Sequence, residues 1–216
     1  MRIVVFDTET TGLPTIKLPA KDKQNNWPHI VSISWMVLEN LTPLYSKSFI
    51  VKPNQWTISP ESTKIHGITQ DMAMEKGVSL KHAMDEFISE KYDLLLAHNL
   101  DFDEQVVVQA IYWDLGRTQF TQLPQPKRCS MRASVGICRI EVPYANYYKN
   151  PKLSELYEYC MGNSPDASKL HGSMYDVEVL VQCVQNSPEL RERLGLRLPP
   201  AVEYNAPLPN GPTLRI

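Results

Sequence analysis

The chain opens with an apolar run, Ile3 to Phe6, that closes on Asp7. Such a block predicts a buried strand over residues 2–7 that ends at an acid, followed by a polar turn over residues 8–12. Residues 14–28 form a long polar loop containing Lys17, Lys21 and Lys23. Residues 30–38 then alternate, with Val31, Ile33, Trp35 and Val37 on one face and Ser32 and Ser34 on the other, which is the period of a strand. Residues 44–52 suit its hairpin partner. Residues 56–69 read as a loop with a short helix starting at Pro60.

The rhythm changes after residue 79. Leu80, Ala83, Met84, Phe87 and Ile88 share one helical face, so residues 79–90 are expected to be a helix. Residues 92–97 are a short apolar run suited to a central strand, and a helix is expected over residues 101–115, with Gly116 as its stop. Residues 127–130 fit a short strand, residues 131–137 and 153–161 short helices, and residues 175–186 a last long helix. Its inward face is expected to carry Tyr175, Val179, Leu180, Cys183 and Val184. Strands followed by strand–helix alternation indicate a mixed α/β layer fold with a central sheet. Residues 1–198 read as one domain, and residues 199–216, with Pro199, Pro200, Pro207, Pro209 and Pro212, as a proline-rich C-terminal tail without regular structure.

At 216 residues the chain can bury one full core. No apolar run approaches the roughly 20 residues of a membrane helix, and the N-terminus does not resemble a signal peptide. The expectation is an intracellular protein, cytoplasmic or nuclear, with no membrane partner. Cys129, Cys138, Cys160 and Cys183 show no metal or redox spacing and are expected as free thiols. The net charge of −2 argues mildly against a partner held by its phosphates. That argument weakens if several acids are neutralised on cations.

Three polar clusters could carry chemistry. Asp7 and Glu9 lie one residue apart at a strand end, so the period of two places them on the same side. Their repulsion is costly unless a cation sits between them. Thr10, Thr11 and Gly12 follow and can expose backbone N–H groups to a phosphate or a terminal hydroxyl. The second cluster, His98-Asn99-Leu100-Asp101-Phe102-Asp103, lies between a strand and a helix, with Asp103 in the helix's first turn, where negative charge is favoured. The third is His171-Gly172-Ser173-Met174-Tyr175-Asp176. On a continuous helix His171 and Asp176 would stand roughly 140° apart. For them to act together, His171 must lie on a loop or a loosened first turn, a bend that Gly172 and Ser173 permit.

Together the three clusters resemble the motifs of the DEDDh exonucleases of the DnaQ-like group, which have a ribonuclease H-like fold. The first matches Asp7 to Gly12 position for position, the second His98 to Asp103, and the third the His171–Asp176 spacing. One departure is Ser173, where the family more often has alanine. The resemblance implies a five-stranded mixed sheet flanked by helices. It also implies a 3′→5′ exonuclease in which Asp7, Glu9, Asp103 and Asp176 hold two Mg²⁺ or Mn²⁺ ions and His171 is the general base. Thr10, Thr11 and Leu13 would hold the terminal nucleotide, His66 would lie near its sugar, and Asn99 would touch the strand or support the site.

Tyr144, Tyr147, Tyr148, Lys149 and Lys152 form an aromatic and basic stretch that could stack on a single strand or simply pack on the body. The expected partner is the 3′ end of a single-stranded nucleic acid, DNA in preference to RNA. A 3′→5′ exoribonuclease that trims RNA, an accessory subunit that binds a polymerase through the tail, and a phosphoesterase acting on small molecules are the alternatives.

Overall fold

The structure, a computed structural model, describes residues 1–16 and 18–196. Lys17 and the proline-rich segment 199–216 lie outside the described residues. Five strands, β1 (Arg2–Thr10), β2 (Ile30–Glu39), β3 (Thr42–Ile50), β4 (Leu94–Ala97) and β5 (Lys127–Cys129), form one sheet in the order β3-β2-β1-β4-β5. The β1–β2 and β2–β3 pairs are antiparallel, and the β1–β4 and β4–β5 pairs are parallel. Among the described residues the helices are α1 (Pro60–His66), α2 (Gln70–Lys76), α3 (Leu80–Ile88), α4 (Leu100–Val108), α5 (Ser130–Cys138), α6 (Leu153–Met161), α7 (Ser173–Asn186) and α8 (Pro188–Leu194).

Alternation along β1 divides the core. Val4 and Phe6 face α3 and α4 and pack with Met84, Phe87, Val106 and Val107. Ile3 and Val5 face α7 and α8 and pack with Val177, Leu180, Val181 and Leu190. A strand covered on both faces needs apolar residues at every position, which is why Ile3 to Phe6 run without interruption. Each large side chain so buried contributes roughly 1.5–3 kcal/mol. The same two-sided cover explains why Ser32 and Ser34, expected on a polar face, are buried.

Several boundaries differ from those expected. β1 runs on to Thr10, so residues 8–10 belong to the strand and the turn starts at Thr11. The pairs Thr8↔Ile33 and Glu9↔Ser32 hold the ladder, with a bulge before Thr10↔Ile30. Backbone pairing does not depend on side-chain polarity, so polar residues did not end the strand. β3 starts at Thr42 because Asn40 and Leu41 both take positive φ and close a two-residue hairpin. The helix expected over residues 101–115 is α-helical only to Val108, and Gln109–Asp114 widens into a π-helix. Leu115 N–H accordingly bonds back to Ala110 O at 3.0 Å. Ile88, expected inward, is 40% exposed, and Tyr175 is half-buried, whereas Val177 and Val181 are buried.

α2 and α8 were not anticipated. Each has seven residues and buries only Ala73, or Leu190 and Leu194, too few for a readable period. No helix is long and apolar enough to cross a membrane among the described residues. All four cysteines are free thiols.

Candidate active site

The site forms where the C-terminal end of β1 meets the first turns of α4 and α7. Asp7 and Glu9 project from β1 on the same side as Ile3 and Val5, the face covered by α7. Asp176 sits in the first turn of α7. A carboxylate oxygen from each of Asp7, Glu9 and Asp176 lies within 4.8 Å of the others. All three were expected at the site, and the structure brings them together.

Asp103 arrives from the opposite layer. It lies in the first turn of α4, and its Oδ1 accepts from the N–H of Thr8 at 3.1 Å and from Thr8 Oγ1 at 2.7 Å. Thr8 stands between Asp7 and Glu9 in sequence but faces the α4 side, by strand alternation. Asp103 is thus buried beside the other three, anchored to the back of the same strand end. Thr8 was not anticipated as a site residue. A hydroxyl between two acids on a strand was the signal that could have found it. Asp101, two residues earlier, points out to solvent and pairs with Arg132.

The four acids shift one another. Burial, then the charges of Asp103, Glu9 and Asp176, raise the Asp7 carboxyl well above its usual range. Burial, then Asp176 and Asp103, push Glu9 up to about 9. Burial raises Asp103 to about 7 against the two hydrogen bonds from Thr8, and raises Asp176 to about 6 against the opposing effect of His171. Such a set cannot all ionise near neutral pH without a compensating positive charge. Asp176 Oδ1 is buried with no hydrogen-bond partner, an orphaned oxygen that a cation would satisfy. Oxygen donors alone suit a hard divalent ion. These residues fit such an ion on the chemistry of the donor set.

The N-terminus of α7 is docked by hydroxyls. Ser173 Oγ lies 3.0 Å from Ser32 Oγ and 2.7 Å from Ser34 Oγ, and Ser34 Oγ lies 2.8 Å from Ser48 Oγ. Ser34 and Ser32 pair with Asp7 and Glu9 across the sheet. The cluster therefore fixes the α7 turn that carries Asp176 directly over the two β1 acids. The sequence identified Ser173 only as small enough to fit. Ser173→Ala leaves buried hydroxyls short of a partner and is expected to cost about 1–3 kcal/mol. Thermal unfolding should show a Tm lower by several degrees, and kcat should fall with it as Asp176 loses its seat. An unchanged Tm would mean that the hydroxyls do not dock the helix.

His171 has φ of 66° and is exposed, with Gly172 as the N-cap of α7. It lies off the helix, as its spacing to Asp176 required. His66 ends α1, where Gly67 at φ 75° breaks the helix. Its Nδ1 accepts from Ile68 N–H at 3.1 Å, so its proton is on Nε2, which is buried without a partner. Burial lowers the His66 pKa, and the backbone of Thr10 beside it opposes that shift. Thr10 Oγ1 donates to Gly12 O at 2.8 Å. Thr11 is clamped to His29: its N–H donates to His29 O at 3.0 Å, and its Oγ1 accepts from His29 N–H at 3.1 Å. Leu13 is 81% exposed. Asn99 is exposed at φ 65° immediately before α4.

His98 is structural: its Nδ1 lies 3.0 Å from Ser130 Oγ and its Nε2 3.0 Å from Pro151 O. Burial lowers its pKa to about 4. Tyr144 and Tyr147 do not pack on the body and are largely exposed.

The family model described as exonuclease (RNase_T) matches residues 4–184. The chain belongs to the exonuclease family. It is 35% identical over 104 residues to the DNA polymerase III subunit epsilon of Buchnera aphidicola subsp. Schizaphis graminum, a match spanning 47% of this chain and 42% of that protein. Exonuclease X in complex with 5′ overhanging duplex DNA aligns with a TM-score of 0.59 at 20% identity, covering 91% of this chain and 95% of that one. E. coli Exonuclease I in complex with a dT13 oligonucleotide aligns with a TM-score of 0.64 at 18% identity, covering 88% of this chain and 42% of that one. The exonuclease-family chain therefore spans under half the length of the curated relative and of Exonuclease I. Its five-stranded mixed sheet with flanking helices is the ribonuclease H-like exonuclease fold.

Proposed function

We propose that this member of the exonuclease family is a 3′→5′ exonuclease that hydrolyses single-stranded or frayed DNA ends to nucleoside monophosphates. The observation that carries the reading is the meeting of Asp7, Glu9 and Asp176 within 4.8 Å, from segments far apart in sequence. Asp7, Glu9, Asp103 and Asp176 would hold two Mg²⁺ or Mn²⁺ ions. Bound there, such ions lower the pKa of a coordinated water and stabilise charge on the scissile phosphate.

The chain's own residues do the rest. His171 takes the water's proton, a task that suits imidazole; its exposed position off the α7 axis leaves the ring free to reach a bound end. The Thr10–Thr11 turn receives the terminal nucleotide. Leu13, with no apolar cover of its own, offers a surface to the base. His66 stands against the backbone of Thr10, close to where a terminal sugar would lie. Asn99 lines the approach beside Asp103, and the exposed Tyr144, Tyr147 and Tyr148 are available to stack on bases of the strand or its complement.

DNA is favoured over RNA because the matched proteins include two exonucleases seen with DNA and a DNA polymerase subunit. Matched 5′-labelled DNA and RNA oligonucleotides, incubated with Mn²⁺, test the proposal. The expected result is a ladder shortening from the 3′ end with release of mononucleotides, faster on DNA. Accumulation of internal fragments, or release from the 5′ end, would refute it. His171→Ala is expected to lower kcat by about 10²–10⁴-fold, with Mn²⁺ affinity changed less than about threefold. A large loss of metal affinity would make His171 a ligand instead.

An accessory role beside a polymerase is favoured by one observation, the subunit epsilon match. Deleting residues 199–216 should leave turnover intact if that segment serves a partner alone. An intracellular location, cytoplasmic or nuclear, is part of the same proposal.

A further inference from the structure

A cavity of about 770 Å³ opens beside the catalytic turn and includes none of the four acids. That volume lies within the roughly 300–1,000 Å³ of small-ligand sites. Its link to the proposed active site is direct. His29, which lines it, is the residue whose backbone clamps Thr11 on both sides. The cavity thus begins one residue away from the turn that would hold a terminal nucleotide.

Its walls carry two kinds of recognition chemistry. The His29 imidazole is stacked on the Trp56 indole, with ring centroids 5.2 Å apart and planes within 6° of parallel. Lys52 supplies positive charge, Lys81 is ion-paired with Asp85 at 2.6 Å, and Asn54 and Gln55 supply amides. Asp114, the one acid among the described lining residues, is already engaged: Oδ2 lies 3.0 Å from His29 Nδ1, and Oδ1 accepts from Gln109 Nε2 at 3.3 Å. Among the described residues Lys52 is the lysine of the wall with no acid paired to it, and it is the one placed to meet a phosphate. The wall is also rigid at Lys52. Its N–H donates to Val78 O at 2.8 Å, and Gly77 packs so closely against its backbone that a Cβ would fall 2.6 Å from Lys52 N.

Aromatic rings, a lysine and amides at the edge of one cavity are what a nucleotide requires: a stacking surface, a phosphate partner and hydrogen bonds to a base edge. We propose that this cavity is a second nucleotide subsite, which takes an internal nucleotide of the substrate strand while the 3′ end sits at Thr10 and Thr11. The inference rests on the nuclease reading above. It adds that the enzyme grips its strand at two points, so short substrates lose one of them.

Two measurements test it on the full chain. The first compares kcat/KM for a 12-nucleotide and a 3-nucleotide DNA strand. Lys52→Glu is expected to lower the 12-mer to 3-mer ratio about tenfold, and Lys52→Arg to restore it. An unchanged ratio in Lys52→Glu, with wild-type hydrolysis present, overturns the subsite and leaves the nuclease reading standing. Absence of hydrolysis in the wild type would instead overturn the nuclease reading. The second measurement uses phosphorothioate strands carrying 5-iododeoxyuridine at successive positions from the 3′ end. Photo-crosslinks to His29 or Trp56 from an internal position are expected. Crosslinks from every internal position that fall elsewhere, as on Tyr144, Tyr147 or Tyr148 alone, overturn it.

Discussion

Asp7→Asn is expected to abolish hydrolysis and at the same time to stabilise the metal-free protein. Asp7 lies at the centre of the acid cluster, where burial and the charges of Asp103, Glu9 and Asp176 all oppose its ionisation. Asparagine keeps the shape, removes the repulsion and removes a proposed cation ligand. Turnover in Mn²⁺ should fall by on the order of 10³-fold or more. In chelator, Tm should rise by roughly 2–4 °C for each kcal/mol of repulsion relieved. Steady-state hydrolysis and calorimetry on the same preparation check both halves. A variant that loses activity and stability together would mean that Asp7 supports the fold rather than a cation, because a cation-binding acid strains the empty site.

The second large effect is on pH dependence. Glu9 is raised from 4.5 to about 9, Asp103 from 3.8 to about 7 and Asp176 from 3.8 to about 6. Each group holds its proton more tightly folded than unfolded. Between the ordinary carboxylate range and pH 9 the native state therefore binds more protons than the unfolded chain, and stability falls as pH rises. As far as this cluster decides, metal-free protein should be most stable below about pH 4, and should lose on the order of 10 °C in Tm by pH 9. Divalent cation compensates the ionised acids and binds better as they deprotonate. With Mg²⁺ or Mn²⁺ present the slope should flatten or reverse above pH 7. Parallel melting curves in chelator and in Mn²⁺ decide. If the two coincide across the range, the acids do not form a cation site.

Much of the site could be read from the chain because its chemistry is local in sequence. Asp7 and Glu9 owe their shared side to strand alternation, and His171 owes its place off the helix to helical geometry; both follow from backbone periods. That Asp103 comes to the same strand end was legible too, but not its approach from the opposite layer or its hold on Thr8. Short helices such as α2 and α8 escaped because a single inward alanine or a pair of leucines defines no period. The π-helical Gln109–Asp114 escaped because its side chains keep a helical pattern while its backbone widens.

The sequence by itself determined which acids could carry the chemistry, and the order of strands and helices that would present them. Tertiary structure alone decided that Ser32, Ser34 and Ser173 are a buried clasp rather than a wet face, and that His29 joins the Thr10–Thr11 turn to a cavity lined by Trp56 and Lys52. The reason is physical. Periodicity reports which face of an element a side chain occupies, but what lies opposite that face depends on packing between segments separated in the chain.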